Sequence, residues 1–235
     1  MFDRSIIQAA MEDARERAPE ESCGIVTRDA YLPLPNVHEE PRGNFRIDDS
    51  AYCEAVVHGR LQAVIHSHPE GQDHPSRDDM AQQIASAVPW GIIVRDRGAW
   101  REPFWFGDQV EPPPLIGRVF RHGVTDCYAL VCDWFRLVKG IRVPPHPRHH
   151  GWWHKGEDLF QLFDSAGFVP IDTVERVGDC VVGRILGPVP NHCGVYVGRG
   201  LVLHHLANRL SRQEPLAPWM KFVTRCFRHK ELAHD

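Results

Sequence analysis

An α/β unit followed by an α+β unit is the architecture this sequence predicts, and three observations carry it. Residues 107–117, Gly-Asp-Gln-Val-Glu-Pro-Pro-Pro-Leu-Ile-Gly, hold three consecutive prolines, which end helices and strands alike and favour a stiff extended connector. Charge reverses across that stretch. Up to residue 111 there are 11 Arg, no Lys and 20 Asp+Glu, net -9, whereas from residue 112 onward 16 Lys+Arg face 11 Asp+Glu, net +5. The patterning also changes: helices and strands interleave in the first half, while the second opens on a helix and continues into a hairpin. The boundaries that follow are a first domain over 1–110, a proline-rich linker over 111–117 and a second domain over 118–235.

At 235 residues, 43% hydrophobic and 25% charged, the chain can bury a substantial core in each half. That balance excludes a disordered tail or a fibrous repeat. Seven cysteines at 23, 53, 127, 132, 180, 193 and 226 form no CxxC pair and are too few for a disulfide scaffold, so a functional cysteine is expected to be a thiol. Charge interrupts the N-terminus before an apolar run can form, so no signal peptide is expected and synthesis is placed in a cytosol. The longest uncharged stretch, 80–94, is too short and too polar to span a bilayer. The basic second half suits an anionic surface or polymer, and no nucleic-acid partner is expected.

In the first half, Ile6, Ile7, Ala10, Met11 and Ala14 recur at helical spacing, predicting a helix over 5–17 that Pro19 stops. Residues 23–27 and 61–68 read as strands. Two apart on a strand, His66 and His68 project from one face. Pro69 ends that strand, and Ser76 caps a following helix whose first turn contains Asp79. Two imidazoles and a carboxylate make three N/O ligands with a fourth tetrahedral position left open, as at a catalytic zinc. Ser76-x-x-Asp79 is equally an ordinary capping pattern. Together the residues spell His66-x-His68-x7-Ser76-x2-Asp79, and this resembles the signature of the JAMM metallopeptidase family. The segment Glu21-Ser-Cys-Gly-Ile-Val is similar to the upstream glutamate segment of that family. The resemblance implies a mixed α/β domain in which His66, His68 and Asp79 bind Zn2+, Glu21 takes a proton from the attacking water, and Ser76 helps hold the developing oxyanion.

In the second half a glycine-containing loop turns into a helix at Thr125-Asp126-Cys127, with Thr125 or Asp126 as cap. Cys127 falls in the first turn, where the helix dipole favours a thiolate. Cys132, deeper in the helix, is expected in the core. Residues 191–206 read as a hairpin turning through Gly198-Arg199-Gly200. Val197 then pairs with Leu201, His204 opposes Gly194, and His192 and His204 become diagonal neighbours on one face, with His205 on the other. A base on one strand, oriented by a partner on the next and facing a helix-start thiol, is a minimal cysteine-peptidase arrangement. Asp126-Cys127-Tyr128, the Asn191-His192-x-Gly194-Val195-Tyr196 strand, and His204 resemble the NlpC-type peptidase family, and Gly178-Asp179 before Cys180-Val-Val-Gly fits the strand that precedes. The resemblance implies a papain-like α+β fold with Cys127 as nucleophile, His192 as base and His204 as its orienter, acting on the stem peptides of bacterial peptidoglycan. In the loop 144–154, His146, His149, His150 and His154 match no ligand template, while Trp152 and Trp153 could line a groove or simply pack.

A JAMM-like domain followed directly by an NlpC-type domain resembles a tail-tip assembly family of long-tailed phages. The resemblance implies partners among other tail-tip proteins and host peptidoglycan, and a location that passes from host cytoplasm during assembly to the virion tail tip. A tail-tip scaffold with one or both sites vestigial is the alternative. A cellular isopeptidase would account for the zinc pattern and leave the cysteine domain unexplained.

Overall fold

The structure, a computed structural model, describes residues 2–58 and 60–232. The chain divides into two compact units, Met1–Glu111 and Pro112–Asp235.

The first unit opens with α1 (Arg4–Arg17), whose Ile6, Ala10 and Ala14 line up at helical spacing and are buried. They pack on Val26, Tyr31, Ala63, Ile65 and Ile93, the facing side of a mixed sheet. Its strands are β1 (Cys23–Val26), β2 (Tyr31–Leu34), β3 (Ala63–His68), β4 (Trp90–Asp96), β5 (Ala99–Trp100) and β6 (Phe104–Phe106). They run in the order β2-β1-β3-β4-β5, with β6 also paired to β4. β3 and β4 are parallel and central, which is why every residue of β3 is buried. Two helices complete the unit, α2 (Asp49–Val57) and α3 (Arg77–Ser86). Gly24 is obligatory for packing, since a Cβ there would sit 2.5 Å from the Tyr31 ring and the Leu32 carbonyl.

The second unit places α4 (Cys127–Trp134), continued by a π turn over Phe135–Lys139, against an antiparallel sheet. The sheet runs β11-β10-β9-β8-β12-β7. In chain order these strands are β7 (Phe168–Ile171), β8 (Cys180–Gly183), β9 (His192–Gly198), β10 (Leu201–His204), β11 (Arg212–Pro215) and β12 (Val223–His229). Leu130, Val131, Trp134 and Phe135 meet Cys180, Val182, Cys193, Val195 and Leu203 in one core. Truncating the fully buried Leu130 to Ala is worth about 2–5 kcal/mol at such a site. On the opposite sheet face Val181, Val202, Leu216 and Cys226 form a smaller cluster under Tyr196 and Trp219.

The hairpin turn differs from the sequence expectation. Arg199 and Gly200 alone form it, both with positive φ (54° and 72°), and Gly198 pairs with Leu201 where Val197 was expected. A two-residue turn of that hand matches the twist of the flanking strands. An irregularity between Leu201 and Val202 then absorbs one residue, and from Val202↔Tyr196 onward the expected register holds, with His204 opposite Gly194. The proline segment is fastened to this second unit. The Arg118 guanidinium donates to the Pro113 and Pro114 carbonyls (3.1 Å each), and the Gly117 N–H donates to the Ser211 carbonyl (2.8 Å).

Candidate active sites

In the first unit, strand alternation brings His66 and His68 to the face of β3 opposite α1. The loop that follows starts α3 beside them. Ser76 caps that helix in a reciprocal box: the Asp79 N–H donates to Ser76 Oγ (3.0 Å) and the Ser76 N–H to Asp79 Oδ2 (2.7 Å). The box pins the Asp79 carboxylate so that Oδ1 lies 3.4 Å from His66 Nε2 and Oδ2 3.7 Å from His68 Nε2. The two Nε2 atoms are 3.1 Å apart, and one donor atom from each of the three residues falls within 4.8 Å of the others. His68 Nδ1 faces the Gln72 carbonyl at 2.8 Å and must donate to it, which leaves the lone pair on Nε2. His66, His68 and Asp79 are all buried. Burial alone would raise the Asp79 carboxyl, but His66 and His68 hold it well below the usual carboxylate range. The His68 Nε2 lone pair, the adjacent His66 imidazole and an ionised carboxylate, all buried, are a donor set that fits a divalent cation such as zinc.

Glu21 stands just outside this group, its Oε1 4.0 Å from His68 Nε2. Burial pushes its carboxyl up to about 8, with His68 pulling down and Asp79 and Glu70 adding to the rise. Glu21, Ser76, His68 and Asp79 share a cavity of about 580 Å³ whose wall includes Phe45 and Trp90. Phe45 stacks on His66 at 4.4 Å and fixes that ring's plane.

In the second unit Asp126, not Thr125, caps α4, accepting from the Ala129 N–H (3.0 Å) and the Gly123 N–H (2.7 Å). Arg148 clamps the same carboxylate with Nε and Nη2 (3.2 and 2.5 Å). Burial opposes ionisation, yet Arg148 and His122 bring the Asp126 carboxyl down to about 2. Cys127 follows at the first helical position, half-buried. A hydrogen bond from Cys193 is the largest influence lowering its thiol; burial opposes it and His192 reinforces it, and the net position is well below that of an ordinary cysteine. Cys132 is pushed up to about 12 by burial, in keeping with a core thiol.

His192 Nε2 lies 3.0 Å from His204 Nδ1, which leaves His192 Nδ1 for the thiol. Gly194 makes this approach possible, for a Cβ there would meet Leu203 O at 2.9 Å and His204 Cβ at 3.0 Å. Burial, with His192 adding to it, brings His204 down to about 4. A cavity of about 270 Å³ opens on Cys127 and His192 and is walled by Tyr128, His146, Trp152 and Trp153. His146 stacks on Tyr128 (5.4 Å), so the tryptophans and one histidine of the 144–154 loop reach the thiol site as lining.

The structure thus brings together both expected sets: His66, His68 and Asp79 with Glu21 and Ser76 at the rim, and Cys127 with His192 and His204. Sequence reasoning missed Glu214, 3.2 Å from His204 Nε2, together with Arg148 and Cys193. Asp126 next to Cys127 was a signal that its carboxylate would need a cation. Nothing local marked Glu214.

Comparison with known proteins agrees with this layout. Residues 3–106 match the family described as prokaryotic homologs of the JAB domain, and residues 115–229 match the NlpC/P60 family. The fold is therefore an N-terminal JAB-like domain followed by a C-terminal NlpC/P60 domain, a peptidase-related class of protein. Tail tip assembly protein K of Escherichia phage N15 is 30% identical over 96% of this chain and 95% of its own length. The protein of the same name from Escherichia phage lambda is 33% identical over 76% of this chain and 87% of its own. The chain belongs to the tail tip assembly protein K family. Among solved structures, an NlpC/P60 family protein from Bacillus cereus overlaps 93% of this chain and 66% of its own at 12% identity and a TM-score of 0.34.

Proposed function

We propose that the second unit is a cysteine endopeptidase that opens peptidoglycan stem peptides of the host wall during infection, carried there at the tail tip with other tail proteins. The observation that carries this reading is a helix-start thiol held low beside His192, itself paired with His204, at the floor of an aromatic-walled cavity. His192 Nδ1 accepts the Cys127 proton, the thiolate adds to the scissile carbonyl, and the imidazolium returns the proton to the leaving amine. Asp126 and Arg148 fix the loop that presents the thiol. Net +5 on this half favours a substrate rich in carboxylates.

The first unit is read as a zinc metallopeptidase acting on a protein substrate in tail assembly or processing. His66, His68 and Asp79 would hold the ion, which supplies polarisation of a carbonyl and an activated water when bound. In this reading Glu21 would accept and return a proton, a bound cation's charge offsetting the burial that raises its carboxyl, and the Ser76 hydroxyl would donate to a developing oxyanion. Digestion of purified muropeptides with mass analysis of the products tests the main reading. Cleavage by the wild-type chain and its loss in Cys127→Ser is the expected result. Uncleaved muropeptides with the wild type would leave a structural role at the tail tip.

A further inference from the structure

We propose that Glu214, on the strand beyond the histidine pair, is the positioning residue that sets the proton order of the thiol site and so decides which nitrogen of His192 is free to act as base. The proposal deepens the cysteine-peptidase reading and rests on it for its kinetic arm alone.

The argument starts at the far end of the chain of contacts. Glu214 Oε2 accepts from Trp219 Nε1–H at 2.9 Å, and Oε1 is ion-paired with Arg212. An indole N–H and a guanidinium can only donate, so both carboxylate oxygens are committed as acceptors. Burial works the other way, yet Trp219, His204 and Arg212 hold the Glu214 carboxyl below its ordinary range. The remaining contact on Oε2, His204 Nε2 at 3.2 Å, must then be the donor. A neutral His204 protonated on Nε2 keeps its lone pair on Nδ1. That atom lies 3.0 Å from His192 Nε2, so His192 Nε2 carries the hydrogen and His192 Nδ1 keeps the lone pair, on the Cys127 side. Each assignment forces the next, from two obligate donors on one strand and turn to the base on another.

Trp219 also closes the relay from outside, its ring 4.5 Å from that of His204 and 5.9 Å from that of His192. When the proton leaves Cys127 Sγ for His192 Nδ1, the imidazolium that forms is stabilised through His204 by a fixed negative charge. The other titratable and charged groups facing the thiol, Cys193 on β9, Asp126 capping α4, Arg148 from the 144–154 loop and His205 just after β10, make no contact with Glu214 and are untouched by a change there. Glu214→Gln keeps the shape and removes the fixed negative charge. Its amide NH2 must face either Arg212 or the Trp219 Nε1–H, both donors only, so the acceptor on His204 Nε2 is weakened and the charge that stabilises the imidazolium is lost.

The test reads the thiol directly. In the full chain, the rate of iodoacetamide alkylation at Cys127 is followed by peptide mass analysis from about pH 4 to about pH 9. The wild type should alkylate with an acid-shifted midpoint. In Glu214→Gln and Glu214→Ala that midpoint should rise by about one unit, which is about tenfold less thiolate on the acid side. On muropeptides kcat should fall about 10- to 100-fold with KM changed by less than about threefold. Trp219→Phe, which keeps the ring and removes one obligate donor, should move the midpoint less and in the same direction. Glu214→Gln is nearly isosteric, so if Glu214→Ala fails to fold, as a melting curve would reveal, the Gln variant decides alone. An unchanged midpoint in folded Glu214→Gln overturns the proposal, as does an ordinary thiol midpoint in the wild type. A low wild-type midpoint that rises in Glu214→Gln, with no muropeptide cleavage by either, supports the relay and removes the peptidase reading instead.

Discussion

Both candidate sites are built on the N-terminus of a helix, and they differ in which residue is spent on capping it. At α3, Ser76 caps and Asp79 completes the box through Oδ2, so a carboxylate at the third helical position is steered toward two histidines. At α4, the aspartate itself caps, and the next residue, Cys127, is left at the mouth of the cavity. One arrangement offers a negative charge to a cation, and the other offers amide dipoles to a developing thiolate. The difference extends outward. The donors of the first site converge on a point that a cation would fill, whereas the second site is chemically complete with protein groups alone, from Cys193 through Cys127, His192 and His204 to Glu214.

The widest separation of the two sites should come from a crossed pair of variants. His192→Ala should cost about 10³- to 10⁴-fold in muropeptide cleavage with metal content unchanged. The double variant His66→Ala/His68→Ala should abolish binding of about one zinc per chain, while Glu21→Gln retains it, with muropeptide cleavage within about twofold of wild type. Metal analysis and product mass analysis on the same preparations check both arms, and loss of cleavage in the histidine double variant would end the picture of independent chemistries. Next in size is His204. His204→Asn can still accept from His192 through its amide oxygen and should keep about a tenth of the rate, and His204→Ala should be weaker than that by turnover assay.

The capping contrast also has a stability signature. Because the Asp126 carboxyl is brought down to about 2 from 3.8, its contribution is fully present above about pH 4 and disappears as pH falls toward 2. The loss should amount to about 2 kcal/mol in the second unit. Asp126→Asn, less stable than wild type above about pH 4 because the buried Arg148 loses its ion partner, should lack that acid slope in denaturant titrations, so the gap narrows as pH falls toward 2. The smallest expected effect is at His205. It lies on the sheet face away from His204, as the alternation predicts, but that face carries α4. Its Nδ1 is 2.5 Å from the Thr125 carbonyl, beside the nucleophile. His205→Ala should therefore lower the melting stability by about 1 kcal/mol with a rate loss smaller than that of His204→Ala.

Much of both sites could be read from spacing because strand alternation and helix starts are local rules. His66, His68, Ser76 and Asp79 lie within one strand, one loop and one helical turn, so their convergence needed no knowledge of the rest of the chain. His192 and His204 were within reach because a short hairpin ties its own register. The turn itself was misread, as Arg199 adopts positive φ without being glycine, and the later irregularity restored the pairing. Glu214 was out of reach: the seven residues between β10 and β11 set no register, and an Arg-Gln-Glu-Pro strand looks like solvated surface. Arg148 was hidden by its neighbours, since the eye goes to four histidines rather than to the one cation that the capping aspartate requires. Cys193 read as an ordinary core residue, and its meaning depends on a sulfur contact across from α4.

The clasp of Arg118 on the proline run has a practical corollary for anyone dissecting the chain. Its guanidinium is nearly inaccessible and holds Asp133 as well as the carbonyls of Pro113 and Pro114. A truncation that begins at residue 118 would strip away two acceptors and leave a buried cation half-satisfied, whereas one that begins at Pro112 carries its own fastening. The useful place to cut lies upstream of the prolines, in the exposed stretch that ends at Glu111.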